Sequence, residues 1–107
     1  MDLKVKPYNL LNTIKGEDYI FEGNIFYNAN NFLLAIEMYS IAIKGSDVNP
    51  VAYFNRGCSY MAVGLFERAT DDFSEYLKHN QNDEEARNQL ALAQSLGRRT
   101  VSVIKTL

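Results

Sequence analysis

Two stretches of this 107-residue chain share one pattern and decide the fold. The first, residues 19–43, reads YIFEGNIFYNANNFLLAIEMYSIAI, and the second, residues 53–77, reads YFNRGCSYMAVGLFERATDDFSEYL. A single shift along the chain aligns identical or similar residues: Tyr19 with Tyr53, Gly23 with Gly57, Phe26 with Tyr60, Phe32 with Phe66, Ala35 with Ala69, Tyr39 with Phe73 and Ile43 with Leu77. Self-similarity at one fixed period indicates a repeat architecture.

Each copy of the repeat predicts a helical hairpin. In the first copy, Tyr19, Gly23 and Phe26 share one face of a helix. A second helical stripe follows, formed by Phe32, Ala35, Ile36, Tyr39, Ala42 and Ile43. Asn30 and Gly64 fall between the helices of the two copies, where a residue that tolerates positive φ is favoured. The small residues at Gly23 and Gly57 allow the neighbouring helix to approach closely.

Helix start signals mark two further boundaries. Asn49 followed by Pro50 supplies an N-cap and a proline at the first helical position. Asp83 acts in the same way for a later helix, and the acidic residues Glu84 and Glu85 that follow suit the positive end of a helix dipole. The sequence therefore predicts a third helix near residue 50 and a fifth near residue 84.

The composition excludes several classes of function. The chain is 47% hydrophobic and 12% aromatic, which predicts a folded domain, and its net charge of −2 offers no basic surface for nucleic acid or an anionic membrane. The single Cys58 and the single His79 exclude an intramolecular disulfide and a Cys/His zinc cluster. A cytoplasmic location fits this cysteine usage. No catalytic residue, metal site or cofactor is predicted, and the chain is interpreted as a non-enzyme.

The repeat resembles the tetratricopeptide repeat family in its period and in its spacing of Tyr, Gly, Ala and Phe. That resemblance implies an all-α fold, a right-handed superhelix of helix-turn-helix hairpins. One repeat covers residues 16–49, a second covers residues 50–83, and a capping helix covers residues 84–96. Tyr8, Leu11 and Ile14 have helical spacing, so residues 1–15 are expected to form an N-terminal segment with a short capping helix, and residues 97–107 a C-terminal tail.

Three short motifs are similar to one branch of that family, the co-chaperones that hold the C-terminal carboxylate of heat-shock chaperones: Phe21 to Asn24, Asn55 to Gly57, and Asp71 to Phe73. The clamp of that branch uses two asparagines, matched by Asn24 and Asn55. The three positions that hold cationic residues in that clamp are occupied here by Ile20, Glu85 and Gln89. Because cations make the strong charge-assisted bonds to a carboxylate, the basic part of the clamp is missing here. A degenerate clamp for chaperone C-termini stays as an alternative.

The resemblance also places the first helix of each hairpin along a concave groove. The candidate peptide-binding residues are Ile20, Asn24, Tyr27, Phe54, Asn55, Cys58, Met61, Gln89 and Leu92. These side chains are apolar or amide, which favours a peptide or helical segment of a partner protein, as in an adaptor or co-chaperone. Two alternatives are a groove filled by the chain's own ends and a homo-oligomeric scaffold, since two repeats approach the lower limit of a stable array.

Four expectations concern individual side chains and the tail. Glu22 and Arg56, in equivalent positions of the two repeats, are expected to form an ion pair. The acidic cluster of Asp71, Asp72 and Glu75 is expected on the solvated face of the fourth helix. The lone thiol of Cys58 is expected to be inert. The tail from Gly97 alternates in polarity, which indicates a strand or an extended arm: Arg98, Arg99, Thr100, Val101, Ser102, Val103, Ile104.

Overall fold

The computed structural model describes residues 16–107, and this part of the chain contains five α-helices and no β-strand. The helices are α1 Gly16–Asn28, α2 Phe32–Lys44, α3 Val51–Ala62, α4 Phe66–His79 and α5 Glu84–Thr106. Each helix packs against the next one in the chain. The predicted all-α fold of tetratricopeptide-like hairpins is thereby confirmed. The short capping helix predicted within residues 1–15, on Tyr8, Leu11 and Ile14, lies outside the described residues.

The turns of the two hairpins, one repeat apart, have the same geometry. Asn30 has φ 61° and Gly64 has φ 79°, so both turn residues adopt the left-handed conformation predicted for them. The next residue closes each turn, with Asn31 N–H donating to the Phe26 carbonyl at 2.8 Å. Leu65 N–H donates in the same way to the Tyr60 carbonyl at 2.9 Å. This bond joins the N–H of one residue to the carbonyl five residues earlier. It satisfies a free carbonyl at the helix end and allows the chain to reverse direction within a few residues.

Both predicted helix starts are capped by side chains. The Asn49 Oδ1 accepts from the backbone N–H of Val51 at 3.0 Å, while Pro50 has a helical φ of −56°. The Asp83 Oδ1 accepts from the backbone N–H of Ala86 at 3.0 Å. These bonds satisfy amide groups that have no partner within their own helix.

Within each hairpin, a glycine on the first helix contacts an aromatic ring on the second. A Cβ atom built on Gly57 would lie 2.8 Å from the Phe73 ring, and one built on Gly23 would overlap the Tyr39 ring. Real Cβ contacts are not that short. The rings can therefore occupy these positions only because glycine has no side chain. This explains why both repeats have a glycine on the first helix and an aromatic residue at the contacting position of the second helix.

The predicted ion pair between Glu22 and Arg56 is wrong. Glu22 is exposed, and Arg56 bonds to Asp72 on α4 through two contacts, Nε to Oδ2 and Nη2 to Oδ1, both 2.8 Å. A third guanidinium nitrogen, Nη1, donates to the hydroxyl of Ser40 on α2 at 3.1 Å. Asp72 is therefore buried, while its neighbour Asp71 is on the solvated face as predicted. A bidentate pair of this kind satisfies both charges away from water.

The prediction of an extended tail after residue 96 is also wrong, because α5 continues as a helix to Thr106. One repeat after Asn30 and Gly64, the turn position holds Arg98, a residue that does not favour positive φ. The chain therefore has no signal to reverse there and the helix propagates. Although α5 is 23 residues long, no helix within residues 16–107 has the apolar character needed to cross a membrane.

Candidate functional site

A cavity of about 360 Å³ opens beside α1 and α3, within the size range of ligand pockets. Its lining residues are Asn24, Tyr27, Asn28, Tyr39, Phe54, Asn55 and Cys58. Five of the nine candidate binding residues lie in this lining, and we call it the Asn24–Asn55 groove. Asn24 and Asn55 lie close together because the repeats stack, and α1 and α3 are the first helices of consecutive hairpins.

A hydrogen-bond network fixes the two amide groups of the groove. The Oδ1 of Asn24 accepts from the hydroxyl of Tyr39 at 2.5 Å and from the Nδ2 of Asn55 at 3.0 Å. These two bonds do not use the Nδ2 donor of Asn24 or the Oδ1 acceptor of Asn55, and both residues are only partly buried in the groove lining. The pair therefore has one amide donor and one carbonyl acceptor that these bonds leave available to a ligand.

Tyr39 and Asn28 belong to the groove although the sequence did not point to them. The repeat pattern places Tyr39 in the core alone, and its ring is indeed buried. Burial raises the pKa of its hydroxyl to about 12, so this group stays protonated and donates to Asn24. A buried tyrosine hydroxyl needs a hydrogen-bond partner. This requirement is the sequence signal that could have placed Tyr39 beside a polar side chain. Asn28 lies one helical turn after Asn24 on the same face of α1.

The apolar wall of the groove is part of the aromatic core. The half-buried ring of Phe54 lies 5.5 Å from the Phe73 ring and 5.2 Å from the Tyr76 ring, measured between centroids. The ring of Tyr27 meets Phe32 edge to face at 5.3 Å. Such contacts hold the wall rigid. They also mean that Phe54→Glu would disturb the packing of α3 on α4, so this substitution is a poor probe of binding.

Cys58 contributes a thiol rather than a thiolate to the groove. Burial raises its pKa to about 11, and the negative charge of Glu85 adds to the shift. A thiol of this kind is a weak nucleophile at neutral pH because the reactive form is the thiolate. No group of three or more His, Cys, Asp or Glu side chains within residues 16–107 could hold a metal ion.

The remaining four candidate residues do not line the cavity. Ile20 was expected in the groove, but it is only 9% exposed and packs in the core of the first repeat. Met61 packs against the core of the second repeat. Gln89 and Leu92 lie on α5, with Gln89 half-buried and Leu92 exposed. Ile20 is buried because its position on α1 lies only about 60° around the helix from that of Gly23, whose face contacts α2.

Among residues 16–107, no basic side chain lines the groove. The three positions that the resemblance assigns to cations hold the buried Ile20, the exposed Glu85 and the half-buried Gln89. Glu85 is close enough to Cys58 to raise its pKa, so a negative charge lies near the groove. A bound carboxylate would meet this charge without the cations that normally offset its loss of hydration.

Comparison with known proteins shows a partial similarity to a longer protein. The chain matches no known protein-family model. Over 82 residues it is 30% identical to Heat shock protein STI1 of Saccharomyces cerevisiae, and the aligned region is 76% of this chain. The chain spans about 14% of the length of that yeast protein. The chain is thus similar to one segment of a much longer heat shock protein.

Proposed function

We propose that this chain is a protein-interaction module whose Asn24–Asn55 groove binds an extended, uncharged segment of a partner protein. The paired donor of Asn24 and acceptor of Asn55 is the observation that carries this proposal. In an extended chain the N–H donor and the carbonyl acceptor of one residue point to the same side, so a single residue of the ligand complements the pair. Recognition through main-chain groups is a common way to hold an extended peptide.

The same geometry favours an internal segment over a free C-terminus. A carboxylate carries only acceptors, so it would bond to the Asn24 amide and face the Asn55 carbonyl oxygen. Glu85 adds repulsion on the α5 side of the groove. Beside the amides, the rings of Tyr27 and Phe54 offer an apolar surface for one side chain of the bound segment. Apolar and amide-bearing peptides are therefore the expected ligands.

Two comparisons support a role of this kind. The partial similarity to a yeast heat shock protein and the resemblance of the repeats to co-chaperones both favour binding to other proteins. An adaptor or co-chaperone-like role in the cytoplasm follows as part of the proposal. In that role the chain recognises the partner protein, and other proteins carry out any reaction on that partner.

The test is selection from a library of short random peptides that are flanked by linker on both sides, followed by calorimetry. Selected peptides should bind the wild-type chain, and Asn28→Arg should weaken binding about tenfold or more by obstructing the groove. Asn88→Arg, an equally exposed helical substitution on α5, should leave the affinity unchanged. Equal binding to wild type and Asn28→Arg would refute the groove as the binding site.

The alternative of a degenerate carboxylate clamp makes an opposite prediction in a second assay. Peptides with a free C-terminus and the same peptides with an amidated C-terminus are titrated into the wild-type chain. The proposal predicts equal affinity for the two forms, since no cation of the groove contacts the terminus. If only the free acid binds, the clamp alternative is correct and the main-chain recognition proposed here is not.

A further inference from the structure

The C-terminal part of α5 carries an apolar stripe that continues beyond its packing partner. Ala86 and Ala93 are fully buried against the preceding helix, and Gly97 lies beside Phe66 at the start of α4. The next residues at helical spacing, Val101 and Ile104, are 51% and 64% exposed. Large apolar side chains on a regular stripe that leaves the core are typical of a surface that contacts another protein.

Charge is segregated along the chain. Residues 86–106 hold four basic side chains and no Asp or Glu, whereas residues 16–85 hold twelve acidic side chains and four basic ones. Two of the basic residues in the first of these ranges, Arg98 and Lys105, are exposed beside the apolar stripe. We call Arg98, Val101, Ile104 and Lys105 the α5 end. A surface of this chemistry fits an apolar partner surface that carries acidic residues.

Helix α1 presents such a surface. Phe21 and Ile25 are spaced one turn apart and are 65% and 47% exposed. Glu17 and Glu22 are exposed on either side of this apolar pair, with Glu17 one turn before Phe21 and Glu22 nearly one turn before Ile25. We call these four residues the α1 stripe. Like the α5 end, it combines two exposed apolar side chains with charged neighbours, and its charges have the opposite sign.

We propose that the α5 end of one copy of this chain binds the α1 stripe of a second copy. Charge complementarity identifies the occupant, because the chain itself supplies both surfaces. Val101 and Ile104 then cover Phe21 and Ile25, while Arg98 and Lys105 face Glu17 and Glu22. The apolar contact supplies most of the affinity, and the charges at the rim set the orientation and the rate of association. Two α5 ends would repel each other.

Sedimentation equilibrium tests the proposal on the full chain. The mass of wild type should rise above 12.2 kDa with increasing protein concentration, and high salt should reduce the rise because it screens the rim charges. Arg98→Glu combined with Lys105→Glu should reduce the association constant at least tenfold. The control, Lys44→Glu combined with Lys78→Glu, makes the same change in net charge elsewhere and should associate as wild type does.

A charge-swap experiment identifies the surface that the α5 end contacts. The variant Glu17→Lys/Glu22→Lys should sediment as a monomer alone, as should the variant Arg98→Glu/Lys105→Glu. A mixture of the two should associate, because the reversed charges are again complementary between the two variants. A wild-type mass of 12.2 kDa at all concentrations would overturn the proposal. So would a mixture that stays monomeric, or association driven only through residues outside these two surfaces.

Discussion

At the scale of single residues, the two glycines that contact aromatic rings set the distance between paired helices. Gly57→Ala places a Cβ 2.8 Å from the Phe73 ring, so the ring or the helix must move. We expect this substitution to lower the free energy of unfolding by about 1–3 kcal/mol, the usual cost of overpacking. Urea unfolding followed by circular dichroism measures this change.

Gly97→Ala is the matched control for that prediction. Gly97 also lies within a helix, but a Cβ atom built on it would meet the Cβ of Phe66 at an ordinary 3.7 Å. Alanine there should raise the free energy of unfolding by about 0.5–1 kcal/mol, because it restricts the unfolded chain and favours the helix. If both substitutions shift stability in the same direction, close ring contact is not what requires glycine at position 57.

The thiol of Cys58 gives a second prediction at this scale. Because burial raises its pKa to about 11, alkylation by iodoacetamide at pH 8 should be about 100-fold slower than for an unperturbed cysteine. The thiolate is the reactive form, and its population increases as the pH approaches the pKa. The alkylation rate should therefore keep rising with pH up to about 11. The same chain in urea provides the unperturbed rate. A rate that levels off near pH 9 in the folded chain would show an accessible, ordinary thiol.

At the scale of helices, one buried ion pair ties three elements together. Arg56 on α3 bonds to Asp72 on α4 and to Ser40 on α2. We expect Asp72→Ala to lower the free energy of unfolding by about 3 kcal/mol, because it leaves a largely buried guanidinium without its partner. Thermal and urea unfolding of this single variant measure the cost.

Replacing both partners separates the cost of an unpaired charge from the value of the pair. The double variant Arg56→Met/Asp72→Leu should recover most of the stability lost in Asp72→Ala, since it leaves no buried charge. A double variant as unstable as the single one would mean that the geometry of the ion pair itself holds the three helices in register.

The sequence predicted those elements that depend on local chemistry. The turns at Asn30 and Gly64 and the caps at Asn49 and Asp83 are set by the residues that form them, so they could be found from one sequence. The end of α5 could not be found in that way. Polarity alternation within the last residues suggested an extended arm, whereas the absence of a turn residue at Arg98 allowed the helix to continue.

At the scale of the whole molecule, repeat stacking predicts which helices and residues lie side by side, whereas individual side-chain contacts could not be predicted. The register of the two repeats brings Asn24 and Asn55 together. It does not reveal that Tyr39 bonds to Asn24, because the equivalent residue of the second repeat is Phe73, which has no hydroxyl. The same register assigned Arg56 the wrong partner, since a position in the alignment carries no information about which side chain it faces.

Charge is also segregated within the molecule, because residues 16–85 are mainly acidic and the α5 end is basic. This arrangement separates two surfaces that different experiments can address. The Asn24–Asn55 groove has no basic side chain, so peptide binding there should depend little on salt, whereas contact through the α5 end should weaken as salt increases. Binding measured at low and high salt therefore distinguishes the two surfaces.

The central claim is that the amides of Asn24 and Asn55 bind the main chain of an extended peptide. The most direct test is a titration of ¹⁵N-labelled protein with a selected peptide, observing the side-chain NH₂ signals of both residues by nuclear magnetic resonance. We expect these signals to shift together with the backbone signals of Tyr27 and Cys58 as the groove fills. Shifts confined to the outer faces of α2 and α4, with both side-chain amides unchanged, would contradict the claim.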